Sequence, residues 1–267
     1  MIPLSNLAVL EFQGHDARQF LQNQLSADID AIAVGQSGFA CCCNPAGRVL
    51  ALLLILPLDD SVLAVLAADL AEDTRSWLNR FILRSDVRII ARNDLFVATG
   101  GAADIKRAAV GPVEPLEGLP YALLDEPFPE IETEADAAAA WKAEELGRGV
   151  CWLDSASAGQ FLPQMLGFEA IGALNFRKGC FPGQEVIART RYLGKLKRRP
   201  MLLQVEAGEP LPVMQKVTLE TDQDSVSGVV VDEARGASGR CLMLVVRSPA
   251  AVKAEALLVE DQRFEVL

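Results

Sequence analysis

Hydrophobic positions in the first hundred residues change period several times, and each change predicts an element. "LAVLEFQ", starting at Leu7, reads as a strand. From Asp16 to Leu25 the apolar residues Phe20, Leu21 and Leu25 recur at helical spacing behind an aspartate at the N-cap position. "SGFACCC" predicts a strand entering the turn "NPAGR", and "VLALLLILPL", Val49 to Leu58, predicts the strand that leaves it. That run contains a proline and reaches only about half of the roughly twenty apolar residues that a membrane helix needs, so a buried strand is expected and no membrane span. "SVLAVLAA" adds a strand. "DLAEDTRSWLNRFI" has helical spacing at Leu70, Trp77, Leu78 and Phe81, "DVRIIAR" and "LFVATGG" read as strands, and "AADIKRAAV" reads as a helix.

Proline and glycine then crowd "GPVEPLEGLP" and "DEPFPEIE", which marks connections. "TEADAAAAWKAEELG" follows as a helix with a capping-box start and a glycine stop. After Arg199 the pattern shortens. "MLLQVE", "MQKVTLE", "SVSGVVVDE", "RCLMLVVR", "AEALLVE" and "RFEVL" alternate with Gly, Asp and Ser turns, the pattern of a small β-barrel. The expected fold class is α+β with antiparallel strands, because the regular strand-helix alternation of a parallel sheet is absent. The expected division is an α+β region over 1–195 and a β-barrel domain over 196–267.

Composition agrees with a folded chain: 267 residues, 51% hydrophobic and 23% charged, are enough for two or three packed units. The opening "MIPLSNLAVLEF" lacks the basic start and small-residue cleavage site of a secretory signal, so a reducing, cytoplasmic compartment is expected. The six cysteines (Cys41, Cys42, Cys43, Cys151, Cys180 and Cys241) are then thiols, and no two have the CxxC spacing of a zinc or redox site. Alternation along a strand turns Cys42 away from Cys41 and Cys43, so the triple reads as core filling. His15 is the single histidine and sits at a helix entry, which nearly excludes chemistry that needs two imidazoles.

Charge changes the picture most. The net charge is −11, yet residues 177 to 199 hold Arg177, Lys178, Arg189, Arg191, Lys195, Lys197, Arg198 and Arg199 against Glu185 alone. That strip carries +7 and the rest of the chain −18. A solvated basic linker and a local anion site both fit this polarity. An extended nucleic-acid platform fits less well, since only Phe176, Phe181 and Tyr192 supply aromatics there.

Cys180 stands inside "NFRKGCFPGQEVIAR". Arg177 and Lys178 precede it, and a turn opening a short helix follows; cations and helix N-terminal amides both favour a thiolate. Free cysteines are nonetheless most often buried small hydrophobes, so on the residues alone an inert and a reactive Cys180 both stay open.

"FRKGCFPGQEVIAR" resembles the signature of the YgfZ family of folate-binding proteins. The likeness extends upstream through "SASAGQFLPQMLGFEAIGALNFRKGC", downstream through "LGKLKRR", and to "GHDARQFLQNQLSADI" and "CNPAGRVL" near the start. The resemblance implies the fold of the glycine cleavage T protein: two intertwined α+β subdomains and a C-terminal β-barrel around a central channel that holds tetrahydrofolate. It implies an accessory role in making or repairing iron-sulfur proteins, including enzymes that modify tRNA, with iron-sulfur clients or assembly factors as partners and direct tRNA contact not expected. By position it implies Cys180 as a functional thiol beside Lys178, with Gln184 and Glu185 in the signature and Trp141 beside the folate. Arg189 and Arg198 are expected as further folate contacts, and the concentration of charge itself suggests that the basic strip holds the carboxylates of a glutamate tail. The family's first-strand tryptophan is Leu7 here. In the aminomethyltransferase, aspartates that activate folate follow a turn like "PAGRVLAL"; Ala51 and Leu52 occupy that region here, so one-carbon transfer is the second reading and a folate-free docking protein the third.

Overall fold

The computed structural model describes residues 1–100, 109–126, 134–194, 196–206, 208–221, 225–236, 239–246, 254–260 and 262–267. In chain order the N-terminal elements are β1 (Ile2–Pro3), β2 (Leu7–Gln13), α1 (Ala17–Gln24), β3 (Gly38–Cys43), β4 (Val49–Pro57), β5 (Ser61–Ala67), α2 (Ala71–Asn79), β6 (Arg88–Ala91) and β7 (Phe96–Thr99). Next come β8 (Val110–Val113), β9 (Tyr121–Leu124), α3 (Glu134–Gly147) and α4 (Gln184–Tyr192). The chain closes with β10 (Arg199–Val205), β11 (Lys216–Thr221), β12 (Ser225–Gly236), β13 (Gly239–Val246), β14 (Ala254–Val259) and β15 (Gln262–Glu265).

These strands form three sheets, ordered β3-β4-β5-β2-β6, β1-β7-β9-β8 and β10-β13-β12-β11-β14-β15. The first two interlock: β1 precedes β2 in the chain but pairs with β7, leaving β2 between β5 and β6. The long apolar run is β4, at the heart of the first sheet, with Leu52 to Leu56 all buried. Each such side chain contributes about 1.5–3 kcal/mol by leaving water. Cys41, Cys42 and Cys43 are buried as core filling, although a bulge between Cys42 and Cys43 interrupts the simple alternation. Burial pushes the Cys42 thiol up to about 12.

Two strands escaped the sequence reading. β8 and β9 lie within and just after the Pro- and Gly-rich segment read as a connection; β8 tolerates Pro112 because it is an edge strand, where a missing N–H breaks no ladder. The helix expected at "AADIKRAAV" falls mostly on 101–108, outside the described residues, while its last residue, Val110, begins β8. All six C-terminal strands appear where expected. The closed barrel does not: among the described residues β10 and β15 meet only at the bridge Val205–Val266, with hydrogen bonds from Glu206 N to Glu265 O (3.3 Å) and from Leu267 N to Gln204 O (2.9 Å). Four-residue β15 is too short to run along seven-residue β10. Among the described residues no helix is long and apolar enough to cross a membrane.

α3 packs on β12 of the third sheet. Lys142 and buried Asp232 form an ion pair of 2.5 Å across this contact. Next to it, buried Glu145 accepts hydrogen bonds from the Tyr121 hydroxyl (2.6 Å) and from Trp152 Nε1 (2.8 Å).

Candidate functional site around Cys180

The segment leading to Cys180 is fastened by residues far away in sequence. Ser26, fully buried just after α1, donates its hydroxyl to Ala173 O (2.6 Å) and accepts from Cys41 N (2.8 Å), while its carbonyl accepts from Asn175 N (2.9 Å). One serine thus ties α1, β3 and the approach to the site together. Asn175 then turns the chain, its Oδ1 accepting from the backbone N–H groups of Arg177 (2.7 Å) and Lys178 (3.1 Å).

Lys178 does not face the thiol's neighbours as a free cation. Its Nζ donates to the carbonyls of Gln22, Leu25 (2.6 Å) and Ala27 (2.8 Å), filling the C-terminal end of α1, where backbone acceptors lack helical partners. Burial pulls its pKa down to about 8, against the upward pull of Asp28 and Asp30. The ammonium also lies 5.6 Å from the centre of the Phe181 ring. The geometry gives Lys178 a positioning part.

Gly183 enters α4 in the left-handed conformation, φ +81°, and meets the "NPAGR" turn backbone to backbone. A Cβ on Gly183 would lie 2.5 Å from Asn44 O and 2.6 Å from Gly47 Cα. Gly47 also has a positive φ (+73°), and a Cβ there would lie 3.2 Å from Val186 and Ile187, tight but less severe than at Gly183. Two sequence stretches more than a hundred residues apart are therefore one structural unit. Gln164 braces it from the side, its Nε2 donating to Ile187 O at 2.7 Å.

On this support Cys180 is exposed, whereas Cys41, Cys42, Cys43 and Cys151 are buried. Gln184 closes the loop weakly, Nε2 to Gly179 O at 3.5 Å, and Glu185 is exposed in the first turn of α4, where a carboxylate suits the helix dipole. Arg191 lies over the Phe176 ring (4.6 Å) and pairs with Glu169. Arg177, Arg189, Lys197, Arg198 and Arg199 are exposed, and among the described residues no carboxylate pairs with them. Tyr192 (65% exposed) and Leu193 (85%) complete this cationic and apolar surface. Lys195 lies outside the described residues.

Trp141 is elsewhere, on α3, with its ring edge-to-face to Tyr121 at 5.8 Å. Its buried Nε1–H makes no hydrogen bond. Burial pushes Glu145 up to about 7, opposed by the bonds from Trp152 and Tyr121. Glu145, Asp232, Ser26 and Asn175 were not singled out by sequence reasoning; each acts through a partner distant in the chain. His15 keeps to its helix entry, exposed, with Nδ1 3.1 Å from Asp16 Oδ1. Among the described residues no cluster suited to a metal ion occurs.

The architecture is that of the aminomethyltransferase T proteins. The crystal structure of glycine cleavage system aminomethyltransferase T from Bartonella henselae superposes with a TM-score of 0.72 at 16% identity, covering 99% of this chain and 83% of that one. In sequence the chain is similar to tRNA-modifying protein YgfZ of Klebsiella pneumoniae (strain 342), 27% identical, with 79% of this chain and 75% of that protein covered. Together these likenesses support the reading of the chain as a YgfZ-family protein with a T-protein-like fold. No family model matches the chain.

Proposed function

We propose that the chain is a cytoplasmic, tetrahydrofolate-binding accessory factor in the synthesis or repair of iron-sulfur proteins, tRNA-modifying enzymes among them, with Cys180 as its functional thiol. The observation that carries this reading is the exposure of Cys180 at the end of a segment held by Ser26, Lys178 and the Gly47–Gly183 contact. A merely structural cysteine has no reason to be presented to solvent on so firm a support. The name of the Klebsiella relative supports the tRNA-modification side of the reading, and the T-protein likeness supports the folate side.

Trp141, on α3 and apart from the Cys180 surface, is the proposed aromatic contact for the flat heterocycle, its buried indole N–H lacking a hydrogen-bond partner, and the exposed Arg189 and Arg198 are the proposed partners of the carboxylates. Gln184 and Glu185 remain proposed contacts on α4. Tetrahydrofolate, when bound, supplies a carrier for one-carbon units. A single thiol does not hold an iron-sulfur cluster alone, so a client or assembly factor must bring further ligands.

A one-carbon transferase is the second reading. Ala51 and Leu52 are fully buried in β4, so the chain places no proton-handling carboxylate there, and general acid-base help is commonly worth about two to four orders of magnitude. The docking reading required a buried thiol, which the exposure of Cys180 opposes.

Calorimetric titration with tetrahydrofolate tests the proposal, using the intact protein and a Cys180→Ala variant. Saturable binding with equal affinity in both, together with loss of rapid iodoacetamide labelling in the variant, is the expected result. Absence of binding removes the folate reading; slow labelling unchanged by the substitution removes the thiol.

A further inference from the structure

The outer face of α4 leaves large apolar side chains in solvent. Ile187 turns inward and is fully buried, whereas Val186 is 39% exposed and Tyr192 and Leu193, at the helix end, are more exposed still. Val186, Arg189 and Leu193 follow one another at spacings of three and four, so they share a face. The other large apolar side chains exposed among the described residues stand singly, far apart in the chain. The Cys180 loop lies against this helix at two points: the Phe176 ring meets Tyr192 edge-on at 5.9 Å, and Gly179 O accepts from Gln184 Nε2. Cys180 stands on the loop between those contacts and is exposed beside the patch, with the unpaired cations Arg177 and Arg189 flanking it and Glu185 as an acid on the same helix.

Aliphatic anchors beside free cations select one kind of occupant. Val186 and Leu193 offer no stacking surface to a nucleobase, and the Phe176 and Tyr192 rings are in contact with each other and with Arg191, so a nucleic acid finds charge here without a stacking platform. A protein segment with apolar side chains on one side and carboxylates next to them matches both features, as the apolar centre and charged rim of a protein interface do. We infer that α4 and the Cys180 loop form a docking face for an acidic, amphipathic segment of a partner protein, anchored on Val186 and Leu193, which brings the partner's own groups to the thiol. The inference rests on the reading of Cys180 as a functional thiol and adds the class of partner that reaches it.

Fluorescence anisotropy with labelled helical peptides about four turns long tests it. One peptide carries a leucine face flanked by glutamates, a second has lysine for glutamate, a third has serine for leucine, and a single-stranded oligonucleotide matches the net charge of the first. The intact protein is expected to bind the glutamate–leucine peptide in a salt-sensitive manner and every other probe at least about tenfold more weakly, a difference of roughly 1.4 kcal/mol. Rapid iodoacetamide labelling of Cys180 should be lost while that peptide is bound. Leu193→Ser, which removes a solvent-exposed side chain outside the proposed folate contacts, should weaken the same peptide about tenfold and leave tetrahydrofolate affinity unchanged. Equal binding of the leucine and serine peptides, failure of every peptide to bind, or no loss in Leu193→Ser overturns the docking face. Oligonucleotide binding as tight as that of the first peptide reassigns the surface to nucleic acid, and a dimer of the intact protein that Leu193→Ser abolishes reassigns it to a second copy; both overturn the inference. Those results leave the functional thiol standing as long as Cys180 labels rapidly in the free protein, whereas slow labelling there removes the thiol reading and the docking face together.

Discussion

At the scale of single residues, Gly183 and Gly179 separate two reasons for a glycine. Gly183 has φ +81° and would drive a Cβ to 2.5 Å from Asn44 O, whereas a Cβ on Gly179 meets nothing within 4 Å. Gly183→Ala is therefore expected to destabilise the protein by about 2–4 kcal/mol, through strain and displacement of the 44–47 turn. Gly179→Ala should stay within about 0.5 kcal/mol, the range of a surface change that touches nothing. Urea denaturation midpoints of the two variants provide the comparison; equal losses would mean that the glycine contact does not hold the site. Both glycines flank Cys180 in the sequence, and nothing in the local residue pattern tells them apart. The space around Gly183 is set by residues 44 to 47, which lie next to it only after folding.

At the scale of elements, α3 shows what burial does to one carboxyl group. Glu145 lies on its inner face, 2% exposed, and its folded-state pKa rises from 4.5 to about 7 because burial disfavours the charge. Between those two values the folded chain holds a proton that the unfolded chain has lost. The contribution of this group to stability is therefore fully present below about pH 4.5 and falls as pH rises to about 7. The loss is on the order of 3 kcal/mol at most. Glu145→Gln keeps an acceptor for Tyr121 and Trp152, so it should flatten this slope and stabilise the protein at pH 8 more than at pH 4.5. Chemical denaturation at the two pH values checks this; parallel curves for both proteins would show that Glu145 does not titrate in the window. The helix itself was legible from its capping-box start and glycine stop. Its buried acid was not, because the partners Tyr121 and Trp152 come from β9 and from the segment after the helix.

At the scale of the whole molecule, the Lys142–Asp232 pair joins α3 to β12, linking the helical body to the C-terminal sheet. Asp232 is buried and Lys142 is about one-third exposed, which discounts the several kcal/mol of a fully buried pair. Asp232→Ala should cost about 1–3 kcal/mol. Faster amide exchange in β12 and β13, with the first sheet unchanged, is the expected signature, and uniform exchange throughout would show that the pair does not hold this junction.

Local physics was decided by the chain itself: periodicity of two and of 3.6 placed most strands and helices, and residues 177 to 199 declared a concentrated positive charge without any coordinates. Those signals act between near neighbours, so they survive in a one-dimensional reading. Tertiary structure decided the rest. It interleaved β1 with β7, brought the two edges of the C-terminal sheet together at a single bridge among the described residues, sent Lys178 to the end of α1, and brought Cys180 to the surface. Each of these outcomes depends on backbone acceptors, packing space or exposure created by residues distant in sequence, and none of those exists until the chain has folded.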